Sequence, residues 1–332
     1  YDQMWGVDVT QSTQGVNEFF KAISFNRIGF PASKGALVSL AMGTAGADIS
    51  GCPVTSIASS AVSQWSTSSR VSHFEGSTVS AGFSPGDFDH VAFYLPQSIT
   101  CTFTGSAFVN SCNDVTNEFC RLWMLTSSAS TLAHELGHNL GLHHATHDPN
   151  DDRVLATPSD EYGDETDVMG SASHVVFVNR PHLEALGYHT GRTSSAEATL
   201  TIDNFFECST DPRTLVLSAT SLDPVDVPAG QVSAVRFFRV PSTTEQSDTS
   251  SYCSSQSCEC GSLWRTTLFY DSPFTVQRVE YIYYYISYRS SATGIDANLG
   301  TSLQQKVYIH TYSPNMTSYW IDRTFLVATL AS

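Results

Sequence analysis

Residues 134–144 read HELGHNLGLHH, and five of them have the types and spacing to hold and use one metal ion. His134 and His138 stand four residues apart, so a helix puts both imidazoles on one face. Glu135 follows the first histidine and points near the open position of the same ion, where a carboxylate serves as a general base. Gly141 can take a left-handed backbone conformation, which lets the chain turn sharply out of the helix and bring back His144 as a third nitrogen ligand. Three imidazoles leave a fourth position for water, as in a catalytic zinc site and unlike a closed structural one. The alternative is a His-rich helix with satisfied core histidines. His143 is off-register and reads as a surface or supporting residue, and it is the substitute ligand if His144 is not the third. His147 reads as a solvated loop histidine.

These residues need elements to hold them. The spacing predicts a helix over 127–142, capped by Ser127, Ser128 or Ser130 and ended by Gly141. Ile57, Ala58, Ala61, Val62 and Trp65 suit a second amphipathic helix over 57–65. A short third helix fits 181–186, with Pro181 in its first turn. Residues 89–95 read as a buried strand ending at Pro96, and 105–109 and 121–125 as further strands. Residues 191–198 are small and polar, as in a linker. Beyond them 200–206, 214–219, 232–240, 263–270, 276–288, 304–312 and 318–330 all read as strands, rich in Val, Ile, Thr, Tyr and Phe. That pattern predicts an all-β, sandwich- or barrel-like region.

Composition narrows the function. Of 332 residues only 14% are charged, 32 acidic against 16 basic, for a net charge of −16. No basic patch is available to neutralise phosphates, which argues against nucleic acid and against docking on anionic lipid. No apolar run approaches the roughly 20 residues of a membrane span. Eight cysteines divide evenly, Cys52, Cys101, Cys112 and Cys120 before residue 190, and Cys208, Cys253, Cys258 and Cys260 after it. An even number in each half suits disulfides closed within each domain, with three connectivities open in each. Low Lys content and abundant Ser and Thr add to an expectation of secretion. The chain opens at Tyr1 with neither a charged n-region nor an apolar h-region, which suits either a cytosolic protein or one whose signal has been removed, and the missing initiator Met favours a processed chain. Asn315, in Asn315-Met316-Thr317, is the one glycosylation sequon.

The chain resembles the metzincin metalloproteases, most strongly over 89–188, and their extended zinc motif HExxHxxGxxH is matched by HELGHNLGLHHA at 134–145. DVMG at 167–170 is similar to their methionine turn, with Met169 lying 25 residues after His144. More narrowly, the chain resembles the gametolysin family of secreted metzincins. EYGDETDVMG at 161–170 and FVNRPHLEALGY at 177–188 carry that likeness, as does FYLPQSITCTFTGSAFV at 93–109. YYYISYRSSATGIDANLG at 283–300 and VYIH at 307–310 extend it. Ser171 departs from the pattern, since some metzincins place a zinc-binding tyrosine two residues after the methionine. Tyr162 reads as a packing residue close to the site.

The resemblance implies an α+β protein. A metzincin-like zinc protease domain over 1–190, a mixed twisted sheet plus the active-site helix, precedes a linker at 191–198 and an all-β, sandwich-like C-terminal domain over 199–332. It implies one catalytic Zn2+ on His134, His138 and His144, Glu135 as base, and Met169 packed beneath the imidazoles without binding the ion. The implied activity is that of a secreted zinc endopeptidase. Its substrate would be a polypeptide, an extracellular or cell-wall glycoprotein, lying extended beside the edge strand at 105–109. A rival of another class is a metzincin-fold structural or adhesive wall component, against which the intact Glu135 speaks. Two acidic stretches (Asp148, Asn150, Asp151 and Asp152; Glu161, Asp164, Glu165 and Asp167) offer the oxygen ligands that Ca2+ takes, or else form solvated loops. The tyrosines of 281–288 suggest a sugar-stacking face, but alternation along a strand turns half of them inward.

Overall fold

A computed structural model describes residues 15–31, 36–38, 40, 52–65, 71–73, 78–79, 84–96, 99, 101–110, 112, 119–148, 158–171, 174–188, 199–202, 215–239, 282–290, 294–312 and 323–331. Helices and strands are mixed along the chain. Contacts divide it into two units, neither of them one continuous segment. The first comprises Tyr1–His143, Glu165–Val178 and Thr293–Leu299. The second comprises His144–Asp164, Asn179–Ala292 and Gly300–Ser332.

Among the described residues the first unit opens with α1 (Val16–Ile23). Its apolar residues Val16, Phe19, Phe20 and Ile23 recur at helical spacing and are all buried. Full burial of such a side chain contributes roughly 1.5–3 kcal/mol. Strands β1 (Ala36–Val38), β2 (Val71–His73) and β3 (Thr78–Val79) form a small antiparallel sheet, separated in sequence by α2 (Val54–Trp65). Ile57, Ala58 and Ala61 face inward from α2 as their spacing predicts. They pack into one cluster with Val91, Phe93, Leu95, Phe119 and Trp123. The Trp123 indole is buried and donates to the carbonyl of Val54 at 3.1 Å, so its one polar group is satisfied.

That cluster covers a second sheet of β4 (His90–Tyr94), β5 (Gly105–Ala107) and β6 (Cys120–Met124), in the order β4-β6-β5. β4 runs parallel to β6, and β5 antiparallel along its other side, which leaves β5 at an edge among the described residues. Two disulfides, Cys52–Cys101 and Cys112–Cys120, tie the surrounding loops and select one of the three pairings open to these four cysteines. The helix α3 (Ala129–Asn139) follows β6. Ser128, among the three candidate caps, accepts from the Thr131 N–H at 3.3 Å.

The second unit holds a six-stranded sheet in the order β7-β14-β13-β12-β11-β8. Its strands are β7 (Ala145–His147), β8 (Thr199–Ile202), β11 (Ala234–Arg239), β12 (Ile282–Arg289), β13 (Lys306–Tyr312) and β14 (Thr324–Ala331). The inner pairs are antiparallel, while β7 joins β14 and β8 joins β11 in parallel. β9 (Val216–Leu217) and β10 (Gln231–Val232) form a separate parallel pair. Residue 147, expected in a loop, therefore belongs to a strand, because a partner about 180 residues downstream pairs with it (Leu326↔His147). α4 (Arg180–Leu186) is capped by Asn179, whose side chain accepts from the His182 N–H, and is closed by Gly187 at φ +69. The Asn179 amide also donates to Asp164 Oδ2 and to Thr324 Oγ1. Asp164 in turn contacts His310 Nε2 at 3.0 Å, which gives these buried polar groups partners.

The linker at 191–198, the strand at 263–270, Asn315, and Cys208, Cys253, Cys258 and Cys260 lie outside the described residues. Among the described residues, no helix is long and apolar enough to cross a membrane.

Candidate active site

α3 carries His134 and His138 one turn apart, with Glu135 next to the first, as the sequence spacing requires. The rings of His134 and His138 meet edge to face, with centroids 4.7 Å apart. The chain leaves the helix through Gly141, whose φ of +98 is the left-handed conformation expected of it. The Gly141 N–H donates to the His138 carbonyl, and the Leu142 N–H to that of Gly137. One ligand nitrogen from each of His134, His138 and His144 falls within 4.8 Å of the other two.

Each of these imidazoles meets an acceptor at Nδ1. For His134 it is the Val168 carbonyl at 2.9 Å, for His138 the Leu142 carbonyl at 2.7 Å, and for His144 the Glu161 carboxylate at 2.7 Å. A carbonyl or carboxylate accepts only, so Nδ1 carries the proton in all three rings. The lone pair then sits on Nε2, which is the form a metal takes. Two of the acceptors are backbone atoms, and sequence carries no sign of them. The third, Glu161, stands in the acidic stretch read above for calcium.

The methionine turn packs against α3. The Met169 N–H donates to Asp167 Oδ1 at 2.7 Å and the Gly170 N–H to the Asp167 carbonyl, which fixes the turn beside the Val168 carbonyl that His134 meets. Met169 is fully buried, and a Cβ at Gly137 would sit 2.5 Å from its Sδ. Gly137, immediately before His138, is thus where the methionine reaches the helix. Ser171 is exposed.

Glu135 is 4% exposed, and its Oε2 has no hydrogen-bond partner. Burial pushes its carboxyl up to about 8. Gly105, at the start of β5, approaches it so closely that a Cβ there would lie 2.5 Å from Glu135 Oε1. Asn139, the last residue of α3, donates to the carbonyls of Phe108 and Arg121, and the Asn110 N–H donates to the His138 carbonyl. The edge-strand segment is therefore bonded to the helix that bears the histidines. Phe108 and Val109 are exposed beyond it.

Tyr162 lies against the third histidine, with ring centroids 4.2 Å apart. Asp164 and Asp167 are engaged by the protein bonds given above. Asn150, Asp151 and Asp152 lie outside the described residues, and among the described ones no carboxylate belongs to a group with metal-ligand spacing. A second close group, His90 with Cys112 and Cys120, has its sulfurs joined in a disulfide, and a metal takes the thiolate.

Convergent imidazoles in the right tautomer, with an orphaned carboxyl oxygen on the same helix, suit a divalent metal and a water. The class indicated is a metallopeptidase. The profile of the gametolysin peptidase M11 family matches residues 3–249, and the chain belongs to that family. Neither a curated protein nor a solved structure matches it.

Proposed function

We propose that this chain is a secreted zinc endopeptidase of metzincin type that hydrolyses peptide bonds in extracellular or cell-wall glycoproteins. The observation that carries the reading is the shared tautomer of His134, His138 and His144. All three meet an acceptor at Nδ1 and so direct the Nε2 lone pair to a metal. Zinc, when bound, supplies Lewis acidity toward a water and the scissile carbonyl. Glu135 accepts the proton of the attacking water and returns it to the leaving amine. Its unpartnered Oε2 leaves one carboxyl oxygen open to that proton. Met169 supports the helix from below at Gly137. The edge strand β5 takes the substrate as an added strand, with backbone bonds giving affinity. The two disulfides support the extracellular location, since such bonds persist in oxidising compartments. The composition contributes the exclusion of nucleic acid.

Glu135→Gln tests the mechanism. The variant should keep its zinc and lose about 10²–10⁴-fold in kcat/KM, the scale of a general base. Wild-type turnover in that variant would remove Glu135 from the role and favour a structural or adhesive wall protein.

A further inference from the structure

The third histidine is held differently from the other two. His134 and His138 present Nδ1 to backbone carbonyls, whereas His144 presents it to a carboxylate, Glu161 Oε1, at 2.7 Å. The same oxygen accepts from Arg323 Nη2 at 2.7 Å. The Arg323 side chain is 3% exposed, that of His144 14% and that of Glu161 25%. One carboxylate oxygen thus joins a buried guanidinium to the imidazole.

The backbone follows the same route. Arg323 immediately precedes β14, and the Thr324 N–H donates to the His144 carbonyl at 3.3 Å. Thr324 and Phe325 then pair with Ala145 and Thr146 of β7. Thr146 Oγ1 donates to the Glu161 carbonyl, and the Asp164 N–H to that of Ala145, so the segment bearing Glu161 is bonded to β7 from its other side. His144 stands where the last strand, β7 and the 161–164 turn come together. Arg323 and β14 lie beyond residues 3–249, over which the family profile matches.

We propose that Glu161 and Arg323 are positioning residues for His144, with the guanidinium holding the carboxylate and the carboxylate setting the tautomer and angle of the imidazole, so that the C-terminal strand governs how tightly the site keeps its metal. This rests on His144 being a zinc ligand. A carboxylate facing the far nitrogen of a ligand histidine raises its basicity and fixes its ring, and loss of such a partner costs typically 10–100-fold in metal affinity or activity. To the extent that the guanidinium acts on the histidine through that carboxylate, its effect disappears once the carboxylate is gone.

The test is zinc affinity in the full-length protein, measured by competition with a chromophoric chelator. The variants are Glu161→Gln, Arg323→Met, the double variant and His144→Ala. The unfolding midpoint of each zinc-free protein is measured alongside. Glu161→Gln should weaken zinc binding to the folded chain by about 10–100-fold, whatever the zinc-free midpoint loses with the Arg323 pair; a purely structural ion pair would lower the midpoint and leave the affinity of the folded chain at the wild-type value. Arg323→Met should weaken it less, and the double variant should match Glu161→Gln. If the buried arginine proves necessary for folding, Glu161→Gln alone decides the matter. Wild-type zinc affinity in Glu161→Gln, with weakened binding in His144→Ala, would overturn the positioning role. Wild-type affinity in His144→Ala would instead remove His144 from the ligand set, which is a failure of the zinc reading beneath it.

Discussion

Glu135→Gln in zinc-free protein isolates what burial does to one carboxyl. In the folded chain burial carries this group from its ordinary 4.5 to about 8. The unfolded chain releases the proton near 4.5, so between these values the folded state holds a proton that the unfolded state has lost. Stability must then fall as pH rises through this window, by about 1.4 kcal/mol per pH unit. Over the whole span the loss is on the order of 4–5 kcal/mol, largely undiminished by solvent because the residue is 4% exposed. Glutamine has nearly the same shape and no charge, so the variant carries no such slope. Urea unfolding of both proteins in excess chelator, at intervals from pH 4.5 to 9, reads the difference directly. The two should be nearly equal at pH 4.5, with the variant gaining steadily until about pH 8 and holding its advantage above it. Groups remote from Glu135 contribute equally to both curves and cancel. A constant gap from pH 5 to pH 8 would refute the reasoning, since it would mean that water reaches Glu135 in the folded state.

Two further predictions concern the surroundings of the helix. Gly137→Ala puts a Cβ 2.5 Å from the buried Sδ of Met169 and should lower the unfolding free energy by about 1–3 kcal/mol, the cost of overpacking. An unchanged denaturation midpoint would show that Met169 does not pack beneath α3. Replacing each disulfide with a serine pair should cost more for Cys52–Cys101, whose sequence separation is 49, than for Cys112–Cys120, whose separation is 8. Chain entropy assigns about 4 and about 2.5 kcal/mol respectively, and the reverse order in thermal or urea unfolding would contradict that basis.

What the sequence made legible was local. The four-residue spacing of His134 and His138, Gly141 as the turn, Ser128 among three caps and the apolar face of 57–65 each depend on neighbours within a helical turn or two. Such signals survive in a linear string. What stayed hidden was the set of partners brought from far away. Glu161 was visible as one acidic residue in a stretch, with nothing to separate a calcium ligand from a histidine's partner. Arg323 is 179 residues from His144 and has no neighbouring motif. The carbonyls of Val168 and Leu142 belong to the backbone and have no residue type at all. β7 is three residues long and shows too little alternation to announce itself, so a division drawn from composition at 191–198 does not register that the six-stranded sheet takes one strand from before that point. The short α1 was also missed, although its spacing of Val16, Phe19, Phe20 and Ile23 was there to be read.

The most direct measurement is zinc per chain by elemental analysis of the purified protein, paired with cleavage of a denatured protein mixture with and without a chelator. One zinc per chain, with cleavage that stops on chelation and returns with added zinc, is the result that three Nε2-directed imidazoles and a buried Glu135 predict. A folded chain that holds no zinc after incubation with it, or cleavage indifferent to the chelator, would contradict the metal-dependent peptidase reading at its centre.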